Sequence, residues 1–227
     1  MISSGTAYLL MIAIGILGFI VQARLQSVFT KYSRKRFAGG LTGREVAEKM
    51  LRDNGIRDVK VVATRGHLTD HYNPTNKTLN LSESVYNSNS VSAAAVAAHE
   101  CGHAIQHAYG YAPLKMRSAM VPIISFTSQW STWVVIIGLF VMGTLPQVFW
   151  AGIFMIALSA LFSVITLPVE YNASARAIEW LDRSNTLNVV ELDEAKESLS
   201  WAARTYLVAA LSSIAVLIYY LGFARRD

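Results

Sequence analysis

The stretch from Val96 to His107 carries two histidines whose spacing suits metal binding. His99, Glu100 and His103 form the pattern H-E-x-x-H in an alanine-rich segment without proline, which favours a helix. A spacing of four places both imidazoles on one helix face, one turn apart, where both can reach a single zinc ion. Glu100 can accept a proton from water whose pKa zinc lowers to about 7. The pattern predicts zinc-dependent hydrolysis, with a chance occurrence on a surface helix as the alternative.

A catalytic zinc needs a third protein ligand and an open position. His107 lies roughly 12 Å from His99 along a straight helix, so it cannot share a metal with His99. Further along the chain, Glu170 is followed by Ala173 and Ser174 on the same predicted helix face, which allows two helices to approach closely. We predict Glu170 as the third ligand, with an ordinary glutamate at the end of a membrane span as the alternative.

The composition indicates a membrane protein. The chain has 227 residues, of which 53% are hydrophobic and only 15% are charged. Its mean hydropathy of +0.35 is too high for a purely soluble domain and predicts several spans. The formal charge is +5, but the basic residues lie beside apolar runs, so we expect membrane lipids and no nucleic acid as partners. A single cysteine, Cys101, excludes an internal disulfide.

Apolar runs of suitable length predict about four spans that alternate with polar segments. The predicted division is a transmembrane anchor at 1–23, a cytoplasmic catalytic domain at 24–119, a transmembrane helical hairpin at 120–167, cytoplasmic helices with the third ligand at 168–205, and a transmembrane helix with the C-terminal tail at 206–227. Pro168 suits the first turn of a new helix, so we expect a helix to begin there.

Basic residues after the first span predict the orientation of the chain. They are Arg24, Lys31, Arg34, Lys35 and Arg36, with no acidic residue among them. The positive-inside bias then places the active site in the cytoplasm. Arg225 and Arg226 would lie outside, against that bias. A cleaved signal peptide is the alternative for the first run, but no basic residue precedes it.

The polar segment before the H-E-x-x-H motif predicts a small α+β domain. Thr42 is a candidate N-cap for a helix that ends at Asn54-Gly55, and residues 58–64 and 78–82 have strand patterns. Residues 66–74 between the strands are either a turn or a loop that orients the zinc ligands. The strand at 78–82 could hold an extended peptide by main-chain pairing.

Four segments together resemble the bacterial neutral zinc metallopeptidases of the YugP type. They are His-Glu-Cys-Gly-His-Ala-Ile-Gln-His at 99–107, Thr-Asp-His-Tyr-Asn-Pro at 69–74, Leu-Ser-Glu at 81–83 and Leu-Pro-Val-Glu-Tyr-Asn-Ala-Ser-Ala-Arg-Ala at 167–177. The resemblance implies a membrane-embedded zinc metallopeptidase, similar in plan to HtpX-type and CAAX prenyl proteases. It implies His99, His103 and Glu170 as ligands and Glu100 as the base.

Departures from that family concern side chains around the ligands. Asn73 and Asn172 stand where aspartates are usual, and Cys101 stands where a small apolar residue is usual. Ser174 replaces an aspartate of the HtpX-type pattern. These changes affect the orientation of the histidines rather than the ligands themselves. Residues predicted to orient the ligands or contact substrate are Asp70, His71, His107, Asn172, Ser174 and Arg176.

The sequence therefore predicts a mainly α, polytopic membrane protein with a small cytoplasmic α+β zincin-like catalytic domain. We expect a gluzincin-like endopeptidase that uses Zn²⁺ to hydrolyse peptide bonds of membrane or membrane-proximal proteins. Its expected partners are a polypeptide substrate, membrane lipids, and a membrane protein or second copy of the chain. A non-catalytic zinc scaffold is the main alternative, and the presence of Glu100 argues against it. An intramembrane-cleaving protease would need a longer apolar run before His99, and a transporter would need charges inside its spans.

Overall fold

Helices dominate the computed structural model, which describes residues 4–66 and 68–222. The helices are α1 Ser4–Ser33, α2 Gly43–Asp53, α3 Glu83–Tyr86, α4 Val91–Ala108, α5 Ala112–Phe140, α6 Pro146–Arg183 and α7 Val189–Leu221. The strands are β1 Lys60–Thr64, β2 His71–Asn73 and β3 Thr78–Ser82. The prediction of a mainly α fold with a small sheet is confirmed.

Four helices in the described part of the chain are long and apolar enough to cross a membrane. Their bounds are Gly5–Ser33, Ala112–Phe140, Pro146–Arg183 and Val189–Leu221. This confirms the predicted polytopic α-helical membrane protein. Arg225 and Arg226, which we expect outside the cell, lie beyond the described residues.

The chain divides into two compact units. The span unit contains the described parts of residues 1–20, 115–168 and 205–227, and the site unit contains 21–114 and 169–204. The assignment of a catalytic role to particular segments stays a prediction.

Close packing of α5 and α6 characterises the span unit. A Cβ atom added to Gly152 would lie 2.5 Å from Cγ2 of Val135. The backbone of α6 therefore packs directly against the Val135 side chain of α5 at this point. Val135 also belongs to a buried cluster with Phe149 and Ile153. The predicted hairpin turn forms where the Leu145 amide donates to the Val141 carbonyl at 2.8 Å.

The prediction that a new helix begins at Pro168 is wrong, because α6 runs without interruption from Pro146 to Arg183. Proline lacks an amide hydrogen and disturbs a helix at the preceding turn. Long membrane helices nevertheless tolerate it where packing against neighbouring helices holds both sides of the break.

In the site unit, α2 forms as the sequence predicts. The Glu45 amide donates to the Thr42 hydroxyl, and the Glu45 carboxylate accepts the Thr42 amide, which completes a capping box. Val46 and Met50 are fully buried on the inner face of α2. The helix ends at Asp53 with Asn54 as its C-cap, before Gly55 in the left-handed region at φ +73°. α2 therefore packs against the core of the site unit, to which α4 also contributes.

A three-stranded sheet in the order β1-β3-β2 packs in the same unit. β1 pairs with β3 in parallel, and β2 pairs with β3 antiparallel. Leu79 and Leu81 of β3 are fully buried, which anchors the middle strand in the core. The 66–74 segment contains β2 as well as turns. The prediction that residues 78–82 hold a peptide is wrong, because β3 is the middle strand: β1 pairs with its whole length, and β2 pairs with residues 78–80.

Candidate metal centre

Helix α4 positions the two histidines of the H-E-x-x-H motif. The Ser90 hydroxyl accepts a hydrogen bond from the Ala93 amide at 3.2 Å and caps the helix. The alanines that follow are buried, so the helix runs through the core and holds the histidines on a rigid support. The rings of His99 and His103 lie 4.8 Å apart between centroids and nearly perpendicular to each other at 86°.

Helix α6 brings a carboxylate to these histidines. Oε2 of Glu170 lies 3.3 Å from Nε2 of His99 and 3.6 Å from Nε2 of His103. The Glu170 side chain is only 1% exposed. The three predicted ligands therefore meet in one buried cluster, although they lie far apart in the sequence.

A glycine allows the two helices to approach this closely. A Cβ atom added to Gly102 would lie 2.6 Å from the carbonyl oxygen of Ala173 and 2.9 Å from its Cα. Ala173 is itself fully buried. The small residues predicted to flatten this interface thus form it, and any side chain at Gly102 would push Glu170 away.

The donor set and its spacing fit zinc. At zinc–ligand distances of about 2.0–2.2 Å, tetrahedral geometry separates neighbouring donor atoms by about 3.3–3.6 Å. The two distances from Glu170 fall in this range, and one donor atom from each residue lies within 4.8 Å of the others. Two imidazoles and one carboxylate are also a common catalytic zinc set that leaves a fourth position open.

Each histidine has a hydrogen-bonding partner on the side away from the cluster. Nδ1 of His99 lies 3.1 Å from the Ser174 hydroxyl, and Nδ1 of His103 lies 3.0 Å from Oε1 of Gln106. Such contacts orient a metal-binding imidazole, because only the other ring nitrogen then faces the ion. Ser174 was a predicted candidate. Gln106 was missed, although its position three residues after His103 places both on one helix face.

Glu100 lies next to the cluster without belonging to it. Burial lowers the pKa of His103, but the carboxylates of Glu170 and Glu100 outweigh burial and raise it above its ordinary value of 6.5. The Glu100 charge therefore acts at the site. Its side chain is 8% exposed, and no residue within 4–66 or 68–222 forms a hydrogen bond with its carboxylate. The carboxylate remains able to bind water or substrate.

Asn172 and Arg176 are connected to the cluster through Gln106. Oδ1 of Asn172 accepts hydrogen bonds from Nε2 of Gln106 at 3.0 Å and from Nε of Arg176 at 2.8 Å. These two predicted residues thus support a ligand contact rather than the ligands themselves.

The remaining candidates have hydrogen-bonding partners elsewhere. The Asp70 carboxylate accepts the Ser82 amide at 2.7 Å, and the exposed His71 ring contacts the Thr69 carbonyl at 2.8 Å. Nδ1 of His107 lies 2.8 Å from the hydroxyl of Tyr72, a contact that the sequence did not reveal. Within the described ranges, the two histidines and Glu170 therefore form the only group of three such side chains close enough together to hold a metal ion.

Cys101 faces away from this cluster. Its thiol is fully buried and donates to the Ala47 carbonyl at 3.5 Å. Burial raises the pKa of the thiol well above its ordinary value, so it stays protonated at neutral pH. Cys101 is a small packing residue between α4 and α2.

Comparison with known proteins agrees with this geometry. The family model described as "Putative neutral zinc metallopeptidase" matches residues 7–225. The "Putative membrane protease YugP" of Bacillus subtilis (strain 168) is 39% identical over 214 residues, which is 94% of each chain. No solved structure gives a significant match. The chain belongs to this zinc metallopeptidase family, as the resemblance of its motifs predicted.

Family membership and the four apolar helices together define a membrane protein of the zinc metallopeptidase class. Zinc is the metal of that class, and the cluster of His99, His103 and Glu170 can hold it. The assignment of a chemical role to each residue is a proposal.

Proposed function

We propose that this chain is a membrane-bound, gluzincin-like zinc endopeptidase that hydrolyses peptide bonds of membrane or membrane-proximal proteins. His99, His103 and Glu170 hold the zinc ion, and Glu100 is the general base. The observation that carries this proposal is the spacing of 3.3 and 3.6 Å between Glu170 and the two imidazoles, with Glu100 beside them.

Bound zinc would supply a Lewis acid that activates water and polarises the carbonyl of the scissile peptide bond. Glu100 takes a proton from the attacking water and delivers it to the leaving amine. This role requires a carboxylate that is near the metal and not already engaged. Among the described residues, none forms a hydrogen bond with the Glu100 carboxylate, and this supports the role.

The position of β2 at the edge of the described sheet supports binding of an extended peptide. β2 is at one side of the sheet, because β3 is its neighbour and β1 lies beyond β3. Its Tyr72 side chain contacts His107 near the end of α4, the helix that carries the zinc ligands. A peptide that pairs with β2 through main-chain hydrogen bonds would therefore run beside that helix.

The basic residues after the first span support a cytoplasmic active site. Lys35 forms an ion pair of 2.7 Å with Glu194, and both belong to the site unit. Lys31 and Arg34 are exposed in the same region. We place the site unit in the cytoplasm on this charge bias.

The experiment that tests the enzyme against the scaffold compares Glu100→Gln with wild type. Glutamine keeps the size of the side chain but cannot accept the proton, so cleavage should fall on the order of 10²–10⁴-fold. Zinc content and thermal midpoint should stay unchanged, because Glu100 is not a ligand. The measurement is cleavage of unfolded casein by the purified protein in detergent, with zinc content determined on the same preparation.

Glu179→Gln is the matched control, since it makes the same chemical change at an exposed position of α6. It should leave cleavage unchanged. Equal cleavage by wild type and Glu100→Gln would overturn the proposed role of Glu100, and absence of cleavage by zinc-loaded wild type would favour the scaffold.

A further inference from the structure

Gln106 is buried between α4 and α6 and connects them through its side-chain amide. The residue has no exposed surface. Nε2 donates to the Val169 carbonyl at 2.7 Å and to Oδ1 of Asn172 at 3.0 Å, while Oε1 lies 3.0 Å from Nδ1 of His103. A fully buried amide with all these contacts is under strong geometric constraint, because an unpaired polar group there is costly.

The chemistry of its neighbours fixes which way this amide points. The Val169 carbonyl can only accept a hydrogen bond, so the amide nitrogen of Gln106 must face it. The amide oxygen then faces His103 and can only accept. His103 must therefore carry its proton on Nδ1 and leave the electron pair of Nε2 free.

A second fixed group reinforces this arrangement from the other end. The guanidinium of Arg176 can only donate, and its Nε lies 2.8 Å from Oδ1 of Asn172. This contact orients the Asn172 amide so that the same oxygen also accepts from Gln106. The Val169 carbonyl can only accept a hydrogen bond, and the Arg176 guanidinium can only donate one. Together they determine the donor and the acceptor in every hydrogen bond of the series that ends at His103.

We propose that Gln106 is a positioning residue for the metal centre: it fixes the tautomer and ring orientation of His103 so that Nε2 points at the zinc ion. This inference rests on the proposed function, since it takes His103 as a ligand. It assigns to a neutral amide the task that a carboxylate often performs beside zinc-bound histidines. Gln106 itself touches neither the metal nor the substrate.

Two substitutions distinguish positioning from simple packing. Gln106→Met keeps a side chain of similar size in the buried site but offers no acceptor to His103. Gln106→Glu keeps the acceptor but places a carboxylate against the carbonyl of Val169. A residue needed only for packing would tolerate methionine and be damaged by glutamate, because burial of a charge is costly. A positioning residue predicts the reverse order for zinc affinity.

The measurement is zinc affinity of the purified full chain in detergent, determined by competition with a chelator, with the thermal midpoint of the metal-free protein recorded in parallel. Gln106→Met should bind zinc about 10- to 100-fold more weakly than wild type, the usual effect of removing such a partner. Gln106→Glu should remain closer to wild type than the methionine variant. Ser198→Ala is the control, since it removes a different fully buried polar group, a hydroxyl that donates to the Glu194 carbonyl at 2.9 Å. It should leave zinc affinity unchanged.

The outcomes separate this inference from the proposed function. Wild-type affinity in Gln106→Met, or a greater loss of affinity in Gln106→Glu than in Gln106→Met, would overturn the positioning role while the zinc site stands. Failure of the wild-type protein itself to bind zinc would overturn the proposed function and the inference with it.

Discussion

Replacement of Gly102 by alanine tests whether the approach of α4 and α6 sets the geometry of the metal site. The added Cβ would lie 2.6 Å from the carbonyl oxygen of Ala173 and 2.9 Å from its Cα. Both atoms belong to the backbone of α6, so no rotation of a side chain can relieve the contact. The helices must separate instead.

The size of that separation follows from ordinary contact distances. Carbon and oxygen atoms in contact lie at least 3.4 Å apart, so the helices must move by about 0.8 Å at this point. Glu170 lies one turn before Ala173 on the same helix and moves with it. Zinc sites tolerate deviations of about 0.2 Å in ligand distance, so such a shift should weaken zinc binding at least about 10-fold. Overpacking should also lower stability by about 1–3 kcal/mol.

Chelator competition and thermal unfolding of the purified protein in detergent measure both effects. Gly15→Ala is the matched control, because it makes the same change within α1, where no described atom outside the adjoining helix backbone lies within 4 Å of the new Cβ. It should leave zinc affinity unchanged. If Gly102→Ala binds zinc as tightly as wild type, the close approach of the helices does not determine the ligand geometry.

Two further predictions concern the ligands and the orientation. Ser174→Ala should lose about 10-fold in zinc affinity through its effect on His99, and Glu170→Ala should lose more. If chelator competition gives Glu170→Ala the same zinc affinity as wild type, the third ligand is another residue. In intact cells, the exposed substitution Ser33→Cys should be shielded from an impermeant thiol reagent, whereas Thr144→Cys should react. The native Cys101 is fully buried and gives little background labelling. The reverse pattern would place the active site outside.

Local signals in the sequence predicted the elements that depend on local chemistry. The capping residue Thr42 and the stop at Asn54-Gly55 gave the bounds of α2, because both ends are determined by hydrogen bonds within a few residues. The spacing of His99 and His103 gave the shared face of α4, because helical periodicity alone determines it. β2 was missed because it has only three residues, His71–Asn73, and forms by pairing with β3 rather than by its own pattern.

Pro168 shows where a local rule was misleading. Its preference for the first turn of a helix is real, but α6 continues through it because long helices derive their stability from packing along their whole length. Glu170 therefore lies inside α6 rather than in the first turn of a new helix.

Three residues within a single turn of α6 contact α4, and this explains why the site could be predicted only in part. Glu170 lies beside the two imidazoles, Ala173 contacts Gly102, and Ser174 lies within hydrogen-bonding distance of His99. Spacings of three and four residues place all three on one face, and the sequence shows that much. Which residue of α4 each one meets depends on the register between two helices that are distant in sequence. The buried amide of Gln106 helps to fix that register, because it donates to the Val169 carbonyl just before Glu170. No local sequence pattern predicts this contact.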